Sequence, residues 1–486
     1  MPNARQALRT VTKGNRYIRA HSVEGKPLSR LSLDKFLDAS MDEVRLYWAD
    51  QYVQDVLHLR DVDDAGHFRH GVMRREVGGE VAYPRQRDHS AHTLNNYLLG
   101  WYIFDRIPRV REEFTRHFQL RRARRGQEPE EKVDRGFANV WHWVSLLHDI
   151  GYLFEGGVDV RSTGVQDAQI RRGVEVIRDY FQHRFWMEIR FGSFAQRERL
   201  LSMTKVTPPE FIDKSLGGVA DSLRMLPDLS KLQLAVQRDL KKAGHFIPKV
   251  LAEKNGLARD CFDLWAAHYR AYGSDNMAER MKRLDEAFHR LVWGGLPVAG
   301  IRVLDHAVCS GLVLLQFSTF YYLLHASLPE TAPGNVTDRK IREDFLGRDG
   351  IRYKPRQWWT IHTWGTAAAA IHNLVQVSSK WPEAYPKIPK LVLTEDPIAW
   401  LGVLVDILEE WDRSSVRHGR HLFDPGVKVD ELPIQGSDVG LDVVKGKLRV
   451  KYPNPRIAKK VSEDLDAALE DWGSLVEVLH SPEDKG

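Results

Sequence analysis

Apolar residues recur at helical spacing along most of this chain. Asn96, Leu99 and Ile103 follow His92 at four, seven and eleven positions, which places all four on one face of a helix predicted over 89–118. The stretch Trp141 to Tyr152 is an apolar helix ending on the adjacent pair His148-Asp149, with Gly151 just beyond. Val303 to Leu328 is the most membrane-like run. It carries Asp305, His306, Gln316 and His325, so the pattern predicts a buried core helix and no lipid-spanning one. Ala367 to Ala370 leads into Ile371-His372-Asn373, and Leu404 to Arg413 is a further apolar helix carrying Asp406.

Three regions differ from that central pattern. Residues 1–75 are more polar, with helical patches such as Leu33 to Leu57, and read as an N-terminal helical arm. Residues 160–295 keep a helical period, interrupted at Pro208-Pro209 and Gly217-Gly218. They read as a helical insertion, a lid or partner surface, within a domain spanning 76–420. In 421–486 the period becomes two. Leu441 to Val444 and Lys447 to Tyr452 predict strands around Lys445-Gly446, and a helix is expected from about Pro455 to Leu479. The fold class is mainly α, with a small C-terminal α+β appendage.

Composition narrows the function without naming it. A chain of 486 residues, 43% hydrophobic and with fourteen Trp, has ample core material. Its net charge of +5 tolerates an anionic substrate but does not demand nucleic acid. Arg121 to Lys132 is a charged run, expected as a solvated loop. Cys261 and Cys309, the only two cysteines, lack metal spacing and suit a reducing compartment. The N-terminus shows no apolar signal core. A cytoplasmic protein without a membrane partner is expected.

The segments that carry chemistry come in a particular order. Arg87-Asp88-His89-Ser90-Ala91-His92 comes first, then His148-Asp149, then Leu304-Asp305-His306, Ile371-His372 and Leu404-Val405-Asp406. This series resembles the HD-domain superfamily of metal-dependent phosphohydrolases, in its two-metal, six-ligand form. The resemblance spans residues 85–415, and its motifs are short. It implies an HD-type helical bundle in which His92, His148, Asp149, His306, His372 and Asp406 hold one or two divalent ions from among Mn, Fe, Co, Zn and Mg. His89 and His362 are rivals for neighbouring positions. Without His306 and His372, a single-ion site of His92, His148, Asp149 and Asp406 remains.

The implied reaction is hydrolysis of a nucleotide or other phosphate ester by metal-bound hydroxide, with Asp149 bridging the ions. Arg87, Arg302 and Arg413 are candidate phosphate ligands. Glu410 and Arg413 follow Asp406 at four and seven positions and would share its helix face. No general acid stands out; His142 and Glu155 are near in sequence. Other functions attach to the same ligand set: a di-iron oxygenase like the inositol-oxygenase branch, a nuclease supported only by the Arg121 to Arg125 run, or a nucleotide-binding scaffold.

Overall fold

The computed structural model of the chain describes residues 1–19, 22–23, 26–40, 42–59, 89–121, 130–153, 257–288, 306–312, 314–315, 355–373, 388–412 and 434–481. Helix dominates. Helices α1 (Ala4–Gly14), α2 (Arg16–Arg19), α3 (Leu28–Asp38) and α4 (Asp42–Leu59) form the N-terminal part, with a two-residue β-ribbon of β1 (Ser22–Val23) and β2 (Lys26–Pro27). The centre is built from α5 (His89–Arg106), α6 (Pro108–Arg121), α7 (Glu130–Leu147), α8 (Leu257–Tyr272), α9 (Asp275–Phe288), α10 (Pro355–Ile371) and α11 (Pro397–Leu408), together with a helical stretch at 306–312. A three-stranded sheet of β3 (Gly440–Val444), β4 (Lys447–Tyr452) and β5 (Val476–His480), with α12 (Pro455–Ala468), completes it. No helix among the described residues is long and apolar enough to cross a membrane.

Local sequence explains the breaks. The helix expected over 89–118 is two helices, because Pro108 lacks the N–H needed to continue α5 and starts α6 as its first residue. Asp396 caps α11, its carboxylate accepting from the N–H groups of Ile398 and Ala399, with Pro397 at the first helical position. Lys445 and Gly446 both adopt positive φ, 53° and 75°, the turn that joins two antiparallel strands of native twist. The helix expected from Pro455 to Leu479 stops at Ala468. Asp471 follows in a left-handed conformation, and Val476–His480 becomes a strand parallel to β4. Its alternation is too short to stand out from a preceding amphipathic helix.

The core is continuous. Trp101, Phe104, Phe137 and Trp141 pack α5 against α7, and Phe114 carries the cluster into α6 and onto Trp364 of α10. The inward faces of β3 and β4 (Leu441, Leu448, Val450, Tyr452) belong to the same buried cluster, and the Tyr452 hydroxyl donates to the Leu408 carbonyl at the end of α11 (2.6 Å). From the expected insertion at 160–295, residues 257–288 are described, and α8 is core: Trp265, Ala266 and Tyr269 are wholly buried.

A polar knot fastens the far end of the bundle. Asp396 accepts from the Tyr269 hydroxyl (2.5 Å) and from Trp364 Nε1 (3.0 Å), joining α8, α10 and α11. Arg121, in the run expected as a solvated loop, is instead buried at the last turn of α6. Its guanidinium lies 3.7 Å from the Trp364 ring centroid and donates to the His117 carbonyl (3.2 Å). Residues 122–129 lie outside the described set.

Candidate metal centre

Helix ends deliver the ligands. α7 ends at Leu147 and leaves His148-Asp149 in the following turn; α10 ends at Ile371 and leaves His372 in the same place. Asp406 sits in the last turn of α11. Three helix C-termini, each carrying partial negative charge, therefore converge where a cation would sit. His92 comes from the first turn of α5, and His306 opens the helical stretch at 306–312. Glycine permits the closest approach: a Cβ on Gly151 would lie 1.9 Å from the His306 carbonyl oxygen. The Gly151 N–H donates to Ser310 Oγ at 2.7 Å, tying the turn after Asp149 to that stretch.

All six expected ligands meet, although His92 and Asp406 are 314 residues apart in sequence. His92 Nε2 lies 2.7 Å from Asp406 Oδ1 and 4.0 Å from Asp149 Oδ2. His148 Nε2 lies 3.4 Å from Asp149 Oδ2 and 3.7 Å from Asp406 Oδ1. The other carboxylate oxygen, Asp149 Oδ1, is 3.6 Å from both His306 Nε2 and His372 Nε2. Asp149 thus turns one oxygen to each of two histidine pairs. The groups His92–His148–Asp149 and Asp149–His306–His372 are each compact enough to hold an ion.

These spacings fit a metal. Two donors bound to one ion at about 2.1 Å lie roughly 3 to 3.5 Å apart, longer than a good hydrogen bond and close to most of the distances here. His148 Nε2 is buried without a hydrogen-bond partner. Neutral imidazole nitrogens and carboxylate oxygens are the donors that borderline divalent ions take. Two imidazoles are already oriented: Nδ1 of His148 donates to the Ser145 carbonyl (3.0 Å) and Nδ1 of His372 to the Ala369 carbonyl (2.7 Å), which leaves each Nε2 to face the centre.

Electrostatics match that role. Burial works against ionising Asp406, but hydrogen bonds and charge from His148 and His92 outweigh it and hold the carboxyl well below its usual range. Burial holds the His372 imidazole below its ordinary value; Asp149 opposes this, and His148 and His306 add to it. The ligands are nearly sealed, with side chains 2–7% exposed, except Asp406 at 23%.

Some expectations fall elsewhere. Arg87, Arg302 and Arg413, and also Glu155, lie outside the described residues. Glu410 does not share a helix face with Asp406, because α11 ends at Leu408. Glu410 instead pairs with Lys460 Nζ at 2.7 Å. His362 packs edge-on against Trp143, ring centroids 5.1 Å apart, and Nδ1 of His142 bonds the Ala138 carbonyl.

One residue of the centre was not foreseen. Glu409 is completely buried; its Oε2 lies 2.5 Å from His92 Nδ1, and its Oε1 accepts from Asn95 Nδ2 at 2.8 Å. The available signal was an acidic pair, Glu409-Glu410, at a helix C-terminus, where negative charge is disfavoured unless something holds it. No protein-family model matches the chain, and neither the curated proteins nor the solved structures give a match.

Proposed function

We propose that the chain is a metal-dependent phosphohydrolase of the HD type, acting on a nucleotide or another phosphate ester. One observation carries this reading: Asp149 presents its two carboxylate oxygens to two separate histidine pairs, the arrangement required of a carboxylate shared by two ions. His92, His148, Asp149 and Asp406 would hold one ion, and His306 and His372 with Asp149 the second. When bound, such ions lower the pKa of coordinated water towards neutrality and clamp a phosphoryl oxygen.

The chain's own groups prepare the site. Backbone carbonyls and Glu409 orient the imidazoles. Burial excludes bulk water and strengthens every charge interaction inside. Asp406, the least covered ligand, lies at the side from which a substrate approaches. Arg87, Arg302 and Arg413 remain the proposed phosphate ligands, since a guanidinium binds phosphate oxygens in pairs.

The test begins with metal analysis of the purified protein. A phosphate-release screen over nucleotides with Mn under anaerobic conditions follows. Phosphate or nucleoside monophosphate should appear, and Asp149→Asn should lower the rate by more than roughly 100-fold while the circular dichroism spectrum is retained. Wild-type activity in Asp149→Asn, or turnover that strictly requires oxygen and reduced iron, would remove the hydrolase reading.

A further inference from the structure

Asn96 follows His92 by four positions on α5, so the two side chains share one helix face. It is 1% exposed, and its amide nitrogen Nδ2 lies 3.1 Å from His92 Nε2. Its other amide atom, Oδ1, is buried with no hydrogen-bond partner among the described residues. Leaving a buried carbonyl oxygen in that state is costly, and native proteins seldom do it.

The surroundings of His92 say which kind of partner suits that oxygen. Glu409 Oε2 stands 2.5 Å from His92 Nδ1 and takes the Nδ1 proton as its donor, which leaves Nε2 as the ligating atom. Asp406 Oδ1 faces the same Nε2 at 2.7 Å. With an ion between them, both atoms turn lone pairs to the cation. The Asn96 N–H then meets positive charge and a nitrogen whose lone pair is already used. Half a turn of the amide about χ2, a soft two-fold torsion, exchanges its two ends without changing the shape of the side chain. Oδ1 then takes the place of Nδ2, about 3.1 Å from His92 Nε2, which is the separation of two donors on one ion.

We propose, on the metal-centre reading above, that Asn96 is a further metal ligand, its carbonyl oxygen completing the ion position formed by His92, His148, Asp149 and Asp406. A fifth protein donor exceeds the four of a tetrahedral zinc site. A neutral carbonyl oxygen is also a hard donor, of the kind that Mn²⁺ and Mg²⁺ take. Asn96 therefore biases this position towards Mn²⁺ and against Zn²⁺.

The experiment is a calorimetric titration of metal-stripped full-length protein with Mn²⁺ and with Zn²⁺, for wild type, Asn96→Leu and Asn96→Asp. Leucine keeps the volume and removes the donor; aspartate keeps an oxygen. Loss even of a group behind a ligand weakens metal affinity by roughly 10–100-fold, so Asn96→Leu should weaken Mn²⁺ binding by roughly 10-fold or more and leave Zn²⁺ binding within about threefold. Asn96→Asp should restore Mn²⁺ binding to the wild-type level or above it. With Co²⁺, the leucine variant should show a changed visible absorption spectrum and the aspartate variant one close to wild type. A measurement on wild type needs no variant to fold: with ¹³C at the asparagine side-chain carbonyl, the pulsed EPR spectrum of bound Mn²⁺ should show a ¹³C coupling.

Wild-type Mn²⁺ affinity in Asn96→Leu, equal weakening of Mn²⁺ and Zn²⁺, or no ¹³C coupling in wild type would overturn the inference while leaving a metal centre. Absence of binding by wild type to Co²⁺, Mn²⁺, Fe²⁺ or Zn²⁺ would overturn the metal reading itself.

Discussion

Single atoms decide much of this site. Gly151 has room for a hydrogen where any larger group would strike the His306 carbonyl oxygen at 1.9 Å and the Ser310 nitrogen at 2.7 Å. Backbone, not a flexible side chain, would have to move. Gly151→Ala is therefore expected to cost about 1–3 kcal/mol, measured by urea unfolding, and to displace His306 from Asp149. Unchanged stability would contradict that close approach. The six candidate ligands were legible because their identity is chemical: histidine and aspartate in apolar helical surroundings, in a recurring order. Glu409 was not. In sequence it is one more acidic residue beside Glu410, and only the folded contact with His92 Nδ1 separates the two.

Among elements, the bundle is held at two opposite kinds of helix end. The C-termini of α7, α10 and α11 converge on the ligands, whereas the N-terminus of α11 is anchored through Asp396 to Tyr269, Trp364 and its own backbone. Removing that carboxylate orphans four donors and leaves the buried Arg121 without its nearest compensating charge. Asp396→Ala should cost about 3–5 kcal/mol, and Asp396→Asn less, by chemical denaturation. A loss below about 1 kcal/mol in the alanine variant would mean the knot is incidental. Helix existence was readable from periodicity. The division at Pro108 was missed, although proline chemistry signals it, whereas the hairpin at Lys445-Gly446 was read from its turn. β5 was missed because five alternating residues after a strongly amphipathic helix give no separate signal, and their strand state is set by pairing with β4.

For the whole molecule, the buried imidazoles determine the response to acid. Burial, helped by the Arg121 charge, lowers His117 to about 4; burial holds His268 well below the usual range and His372 below it. Unfolded, these side chains take up protons near pH 6.5. Between that value and the lowered folded ones, only the unfolded chain gains protons. Their contribution is intact above about pH 6.5 and is lost as the pH falls towards 4. Asp105 works in the opposite direction. Burial pushes it up to about 6, so its contribution favours the fold at low pH and is lost as the pH rises through 6. Three imidazoles outweigh one carboxyl. Urea midpoints of chelator-treated protein should fall steadily from pH 6.5 to 4.5; a flat or rising series would contradict these assignments.

The first few residues of the chain also act as a sheet edge. The Ala4 N–H donates to the Val439 carbonyl (2.7 Å), the Leu441 N–H to the Pro2 carbonyl (2.9 Å), and Asn3 bridges Gly440, so the start of the chain lies along the outer side of β3. Arg5 then reaches Asp412, just past the helix that carries Asp406, with Nη2 at 2.8 Å from Oδ1. An uncovered strand invites pairing with another chain. Trimming the start of this protein, or crowding it with a fused tag, would therefore trade an intramolecular strand for an intermolecular one. Self-association would then arise at this sheet edge and not at the candidate metal centre.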